Sequence, residues 1–285
     1  MIQLVRFQSG SGHPRYGVLQ QNSILDLSAV GIDRLTGLLN GPSPESTLRS
    51  LASQPLPRIP LTEAQLLAPI DQQEVWAAGV TYLRSKKARM EESDFSASAY
   101  DRVYEAPRPE LFFKSLPQKV CGPGSAVGIR SDAKWNVPEP ELALVFSSKG
   151  DLVGYTIGND MSSRDIEGEN LLYLPQAKTY RRSCALGPVL VLGISEAQTR
   201  EWRIQISIHR QGQQVFQGET SVGQIKRSFT ELRDYLFQSQ EFPNGVVLLT
   251  GTGVIPPDSF TLQAGDRIRI EIGPIGVLEN TVEIV

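Results

Sequence analysis

Along most of this chain apolar residues come in short runs or at every second position, broken by Gly, Pro or Asp. That is the rhythm of strands. Ile268, Ile270 and Ile272 alternate with Arg267, Arg269 and Glu271, which predicts a half-buried antiparallel strand. Short strands are also expected over 75–79, 111–113, 141–147, 152–158, 189–192, 203–210 and 246–249. Two segments break the rhythm. Residues 81 to about 93 form a charged run with few apolar anchors, expected as a helix. Ser228-Phe229-Thr230-Glu231 has the form of a capping box, and Phe229, Leu232, Tyr235 and Leu236 behind it make an apolar helical stripe. The stretch 98–109 is expected as loop.

The first 27 residues predict a strand at 2–7 and a hairpin meander over 16–19 and 23–27. A segment punctuated by Pro42, Pro44, Pro55, Pro57, Pro60 and Pro69 follows, with a helical turn or two. The expected organisation is a small N-terminal subdomain over 1–70 and a main body over 71–285. The fold class is mainly β with peripheral helices (α+β), its body a closed or sandwiched antiparallel structure.

Composition narrows the function classes. The chain has 285 residues, 28 Lys and Arg against 31 Asp and Glu, and no basic run. A net charge of −3 argues against nucleic acid or an anionic membrane surface as the main partner. No stretch approaches the ~18 apolar residues of a membrane span, and the N-terminus lacks a signal-peptide layout. Cys121 and Cys184 have neither metal-type spacing nor the number for a disulfide framework, so a cytoplasmic setting is expected.

The chemistry concentrates in one predicted hairpin. Strand alternation puts Glu139 and Glu141 on one face and Leu142, Leu144 and Phe146 on the other. With Lys149 and Gly150 at the centre of the Ser-Lys-Gly-Asp turn, Glu139 falls opposite Asp160, and Glu141 lies two residues along on the same face. Three carboxylates on one sheet face repel at pH 7, and a hard divalent cation relieves them. An all-oxygen set favours Mg²⁺, with Mn²⁺ or Ca²⁺ as alternatives. Taken alone, a Glu-x-Glu strand more often marks a solvent-facing surface paired with Lys or Arg, and Asp160 shifts the balance away from that reading.

Beyond the hairpin the motifs run in a familiar order. Glu139-x-Glu141-Leu142, Gly154-Tyr155-Thr156, Asn159-Asp160-Met161-Ser162-Ser163-Arg164-Asp165, Lys178 ahead of Gly187-Pro188, and Thr250-Gly251-Thr252-Gly253 resemble the fumarylacetoacetate hydrolase superfamily over roughly residues 70–285. Tyr82-Leu83-Arg84, Arg108-Pro109-Glu110-Leu111-Phe112-Phe113-Lys114 and Tyr173-Leu174-Pro175-Gln176 look most like its 2-keto-3-deoxy-D-arabinonate dehydratases. The resemblance implies a mixed β-sandwich roll and Mg²⁺ held by Glu139, Glu141 and Asp160. It implies a small 2-oxo acid bound near Lys178, with its carboxylate at Thr252, and Arg164 anchoring the carboxylate cluster. Glu110 is then the acid/base, with Lys178 the second candidate for the two proton-transfer steps, and a homodimer or homotetramer is the expected assembly. Arg84, Lys86, Lys87 and Arg89 predict a charged helix face, with Arg84 the expected contact to an anionic substrate.

One departure bears on the reaction. Hydrolytic members of the superfamily use a His with a Glu on a lid to activate water, and residues 81–105 hold no His. His13 and His209 sit elsewhere, and Glu167 stands where Gln is common in the family. The expected reaction is therefore Mg²⁺-dependent dehydration of a 2-keto-3-deoxy sugar acid. The alternatives are cleavage, decarboxylation or isomerisation of an acylpyruvate-type diketo acid, with Glu91 or Glu92 as base, and a non-catalytic metabolite sensor.

Overall fold

The computed structural model describes residues 1–82 and 102–285. Among these, two large mixed sheets pack face to face. In the larger, strands run in the order Arg58–Pro60, Ser23–Asp26, Arg15–Gln20, Ile2–Ser9, Cys184–Leu192, Leu152–Asp160, Pro140–Phe146, Val246–Leu249, Glu74–Gly79 and Glu110–Ser115, and Ala64–Leu67 adds to Ile2–Ser9. The smaller runs Gln213–Ser221, Arg203–Arg210, Arg267–Ile272, Gly276–Ile284, Ala126–Ile129. Most pairs are antiparallel, as the alternation predicts. Two are parallel, Val246–Leu249 with Glu74–Gly79 and Gly276–Ile284 with Ala126–Ile129, and they bring distant chain segments together.

Alternation explains the packing. Ile204, Ile206, Ile208, Ile268, Ile270 and Ile272 of the smaller sheet meet Leu142, Leu144, Phe146, Tyr155 and Ile157 of the larger. On the opposite face, Ala143, Val145, Leu190, Leu192, Val247 and Leu249 pack with Leu35, Leu38, Leu39 and Leu48 from helices Leu35–Leu39 and Pro44–Ala52. The central strands are thus buried on both faces. Helix Phe229–Phe237 starts where expected, with the Ser228 side chain accepting from Glu231 N at 3.0 Å.

Strands at Gln213–Ser221 and Gly276–Ile284 are additional to those expected. The first is a polar, exposed edge strand whose apolar content gives no signal. The segment expected to be helical from Thr81 begins otherwise: Tyr82 forms a β-bridge to Ile225, and the rest lies outside the described residues. Within the expected loop, 102–105 are helical. No helix of the described residues is long and apolar enough to cross a membrane.

Candidate metal centre

The hairpin of Pro140–Phe146 and Leu152–Asp160 has the register that places the carboxylates. Pro140 pairs with Asn159 and Glu141 with Gly158, and Asp160 N donates to Glu139 O at 2.9 Å, so Glu139 and Asp160 face each other. The turn itself sits one residue before its expected centre. Gly150 N donates to Ser147 O, making Ser148 and Lys149 central, and an irregularity near Val145 and Phe146 restores the register. Glu139, Glu141 and Asp160 each bring one carboxylate oxygen to within 4.8 Å of the others, and all three residues are at most 2% exposed.

Three buried cations surround these anions. Lys178 Nζ donates to Glu139 Oε2 at 2.6 Å, Asp160 Oδ2 at 3.2 Å and Ser162 Oγ at 2.6 Å. Arg164 Nη2 reaches Glu139 Oε1 at 3.1 Å. Lys114, wholly buried, pairs with Asp160 Oδ1 and donates to Met161 O at 3.0 Å and to the Lys178 carbonyl. Glu141 is held differently: its Oε2 accepts from Gly251 N at 2.5 Å. Burial, then the charges of Asp160 and Glu139, push the Glu141 carboxyl well above its ordinary range, against the pull of Lys178 and the Gly251 amide. An all-oxygen set this close, with one member penalised by its own neighbours, fits a hard divalent cation such as Mg²⁺.

The cluster opens into a narrow cleft walled also by Ala78, Gly79, Val80, Phe112, Gly251 and Thr252. Thr252 stands in the wall with its hydroxyl donating to Val254 O at 3.0 Å. Glu110 pairs with Gly79 across Glu74–Gly79 and Glu110–Ser115. Its carboxylate fills the space where a Gly79 Cβ would stand, which would meet Glu110 Oε2 at 2.0 Å. Val80 has φ +51, a left-handed conformation that costs a β-branched residue ~1–3 kcal/mol and that tertiary contacts must sustain.

The structure thus brings together Glu139, Glu141, Asp160, Lys178 and Thr252, with Glu110 against the cleft wall. Arg84, Glu91 and Glu92 lie outside the described residues. Glu167 is buried one helical turn beyond Arg164. His13 is exposed on a turn and His209 pairs with Arg267 in the smaller sheet. Lys114 is the site residue that motif reasoning passed over. A signal exists: Glu110, Phe112 and Lys114 fall at every second position of one strand; Phe112 lines the cleft and Glu110 lies against its Gly79 wall.

Comparison with known proteins agrees with this geometry. The profile of the fumarylacetoacetate (FAA) hydrolase C-terminal family matches residues 74–283. A probable 2-keto-3-deoxyxylonate dehydratase of Haloferax volcanii is 46% identical over 217 residues, covering 76% of this chain and 74% of that protein. The 2-dehydro-3-deoxy-D-arabinonate dehydratase of Saccharolobus solfataricus is 34% identical, covering 99% and 97%. The solved structure of a 2-keto-3-deoxy-D-arabinonate dehydratase complexed with magnesium and 2,5-dioxopentanoate superposes with a TM-score of 0.84 at 31% identity, over 99% of both chains.

Proposed function

This chain belongs to the fumarylacetoacetate hydrolase family, and we propose that within it the protein is a Mg²⁺-dependent dehydratase of a 2-keto-3-deoxy sugar acid, converting 2-keto-3-deoxy-D-arabinonate to 2,5-dioxopentanoate. The observation that carries this reading is the buried group of Glu139, Glu141 and Asp160 beside Lys178, at the floor of a cleft with Glu110 packed against its Gly79 wall. The dehydratases of the comparison support the substrate class, and one of them is complexed with magnesium and the proposed product.

The reaction removes a C3 proton and the C4 hydroxyl, giving a C3–C4 double bond conjugated with the keto group. Loss of a C5 proton and return of one to C3 then leave a C4–C5 enol. That enol ketonises by gaining a proton at C4 and losing the one on its C5 oxygen, so one water departs in balance. Glu139, Glu141 and Asp160 would hold Mg²⁺, which would supply stabilisation of the negative charge left when the C3 proton leaves. Glu110 is the base, able to receive that proton at its carboxylate. Lys178, whose amine donates to Glu139, Asp160 and Ser162, is the proton donor. Arg164 keeps Glu139 oriented, and Thr252 with the Gly251 backbone lines the end where the substrate carboxylate is placed. The same proposal includes a role in pentose breakdown and assembly as a homodimer or homotetramer.

Incubation of the purified protein with Mg²⁺ and 2-keto-3-deoxy-D-arabinonate is expected to yield the semialdehyde 2,5-dioxopentanoate, lost on chelation and restored by Mg²⁺. Cleavage of an acylpyruvate with no semialdehyde formed overturns the reading.

A further inference from the structure

We propose that Thr81 is a positioning residue for Glu141, acting through the single peptide unit that joins Thr250 to Gly251; this rests on the metal-site reading above. Thr81 is fully buried, and its Oγ1 donates to the Thr250 carbonyl at 2.6 Å. The N–H of that same peptide, belonging to Gly251, donates to Glu141 Oε2 at 2.5 Å. One planar group therefore carries the hydroxyl on one side and the carboxylate on the other. A hydrogen bond accepted by its oxygen polarises the amide and strengthens the bond its N–H makes.

The local chain does not hold this peptide by itself. Gly251 has φ +88, and a glycine crosses between conformations at little cost. The brace comes from a second turn pressed against it. A Cβ on Gly251 would meet Thr81 Oγ1 at 2.1 Å, and one on Gly253 would meet Tyr82 Cδ1 at 2.4 Å. The left-handed backbone of Val80 delivers Thr81 to this contact. The far side of the turn is fastened by Lys226 N donating to Thr81 O at 3.0 Å and by the Tyr82–Ile225 bridge. Thr250 is in turn tied to the carboxylate strand, with Oγ1 donating to Leu142 O at 2.9 Å. Glu139 and Asp160 are oriented by buried lysine and arginine side chains, whereas the hydrogen bond that orients Glu141 comes from this amide. The strain kept at Val80 thus has a purpose: it sets the carboxylate that, among the described residues, takes its hydrogen bond from a backbone amide.

The test is Mg²⁺ titration by calorimetry on the whole protein without substrate, for the wild type, Thr81→Val and Thr81→Ser, with unfolding in chelator measured alongside. Thr81→Val is expected to weaken Mg²⁺ binding about tenfold, the size seen when groups behind a metal ligand are removed, while Thr81→Ser stays within about twofold. Equal affinity in Thr81→Val and the wild type overturns the proposal, as does a serine variant as weak as the valine one. Should the valine variant fold poorly, Thr81→Ala carries the same comparison. Absence of Mg²⁺ binding in the wild type refutes the metal reading instead. The brace is then read from hydrogen exchange of the Gly251 amide, expected to be faster in Thr81→Val than in Thr81→Ser and overturned if the two match.

Discussion

Lys114→Met removes a fully buried ammonium and leaves the side-chain volume nearly unchanged. Three acceptors lose their partner together: Asp160 Oδ1, the Met161 carbonyl and the Lys178 carbonyl. One of the three buried cations beside the carboxylates is lost, and Arg164 and Lys178 remain. Breaking a buried ion pair by removing one partner costs ~3–5 kcal/mol, because the remaining charge is left desolvated and uncompensated. The two orphaned carbonyls add to this, and the apolar methionine returns part of it, so the net loss stays within that range. At roughly 2–4 °C per kcal/mol for a chain of about this size, the melting temperature in chelator falls by about 10 °C. Saturating Mg²⁺ is expected to recover more stability in the variant than in the wild type, because the cation supplies the charge that Lys114 carried. The assay is denaturant unfolding with and without Mg²⁺. A chelated variant within 1 kcal/mol of the wild type refutes the reasoning, since it would mean that Asp160 does not need its buried partner.

Three further outcomes follow from the same geometry. The raised Glu141 carboxyl makes the metal-free fold hold a proton that the unfolded chain releases, so stability in chelator is highest at low pH and declines as pH rises through the ordinary carboxylate range to the raised value. The gain in melting temperature on adding Mg²⁺ should therefore be larger at pH 8 than at pH 5, and thermal unfolding at both pH values checks the sign. Gly79→Ala places a Cβ where the Glu110 carboxylate lies; turnover should fall at least tenfold while Mg²⁺ affinity stays within about twofold, measured by product assay and calorimetry. Ser228→Ala removes the acceptor for Glu231 N at the start of helix Phe229–Phe237 and should cost ~1 kcal/mol in denaturant unfolding with turnover unchanged.

Much of the centre is written in local pattern. Alternation puts Glu139 and Glu141 on one face, a tight turn returns the chain, and the side-chain period of 2 then carries Asp160 to Glu139 without knowledge of any other strand. Even a misplaced turn centre does no harm, because the irregularity near Phe146 absorbs the one-residue difference. The alternating isoleucines and the cap at Ser228 are local in the same sense, and both features appear where expected.

What the chain's pattern alone leaves open is the identity of partners far along it. Lys114 looks like one charge at the end of a strand until that strand is placed beside Glu74–Gly79, when its alternate face becomes the wall of a carboxylate site. Gln213–Ser221 is too polar to announce itself and exists as a strand because Arg203–Arg210 offers it an edge. The Thr81 hydroxyl and the Thr250 carbonyl are 169 residues apart, and only the parallel pairing of Glu74–Gly79 with Val246–Leu249 sets them in register. Local sequence determines which way side chains point, since that depends on dihedral periodicity. Which buried charges then meet depends on the order of strands in the sheet, a property of the whole packed core that no short window of residues contains.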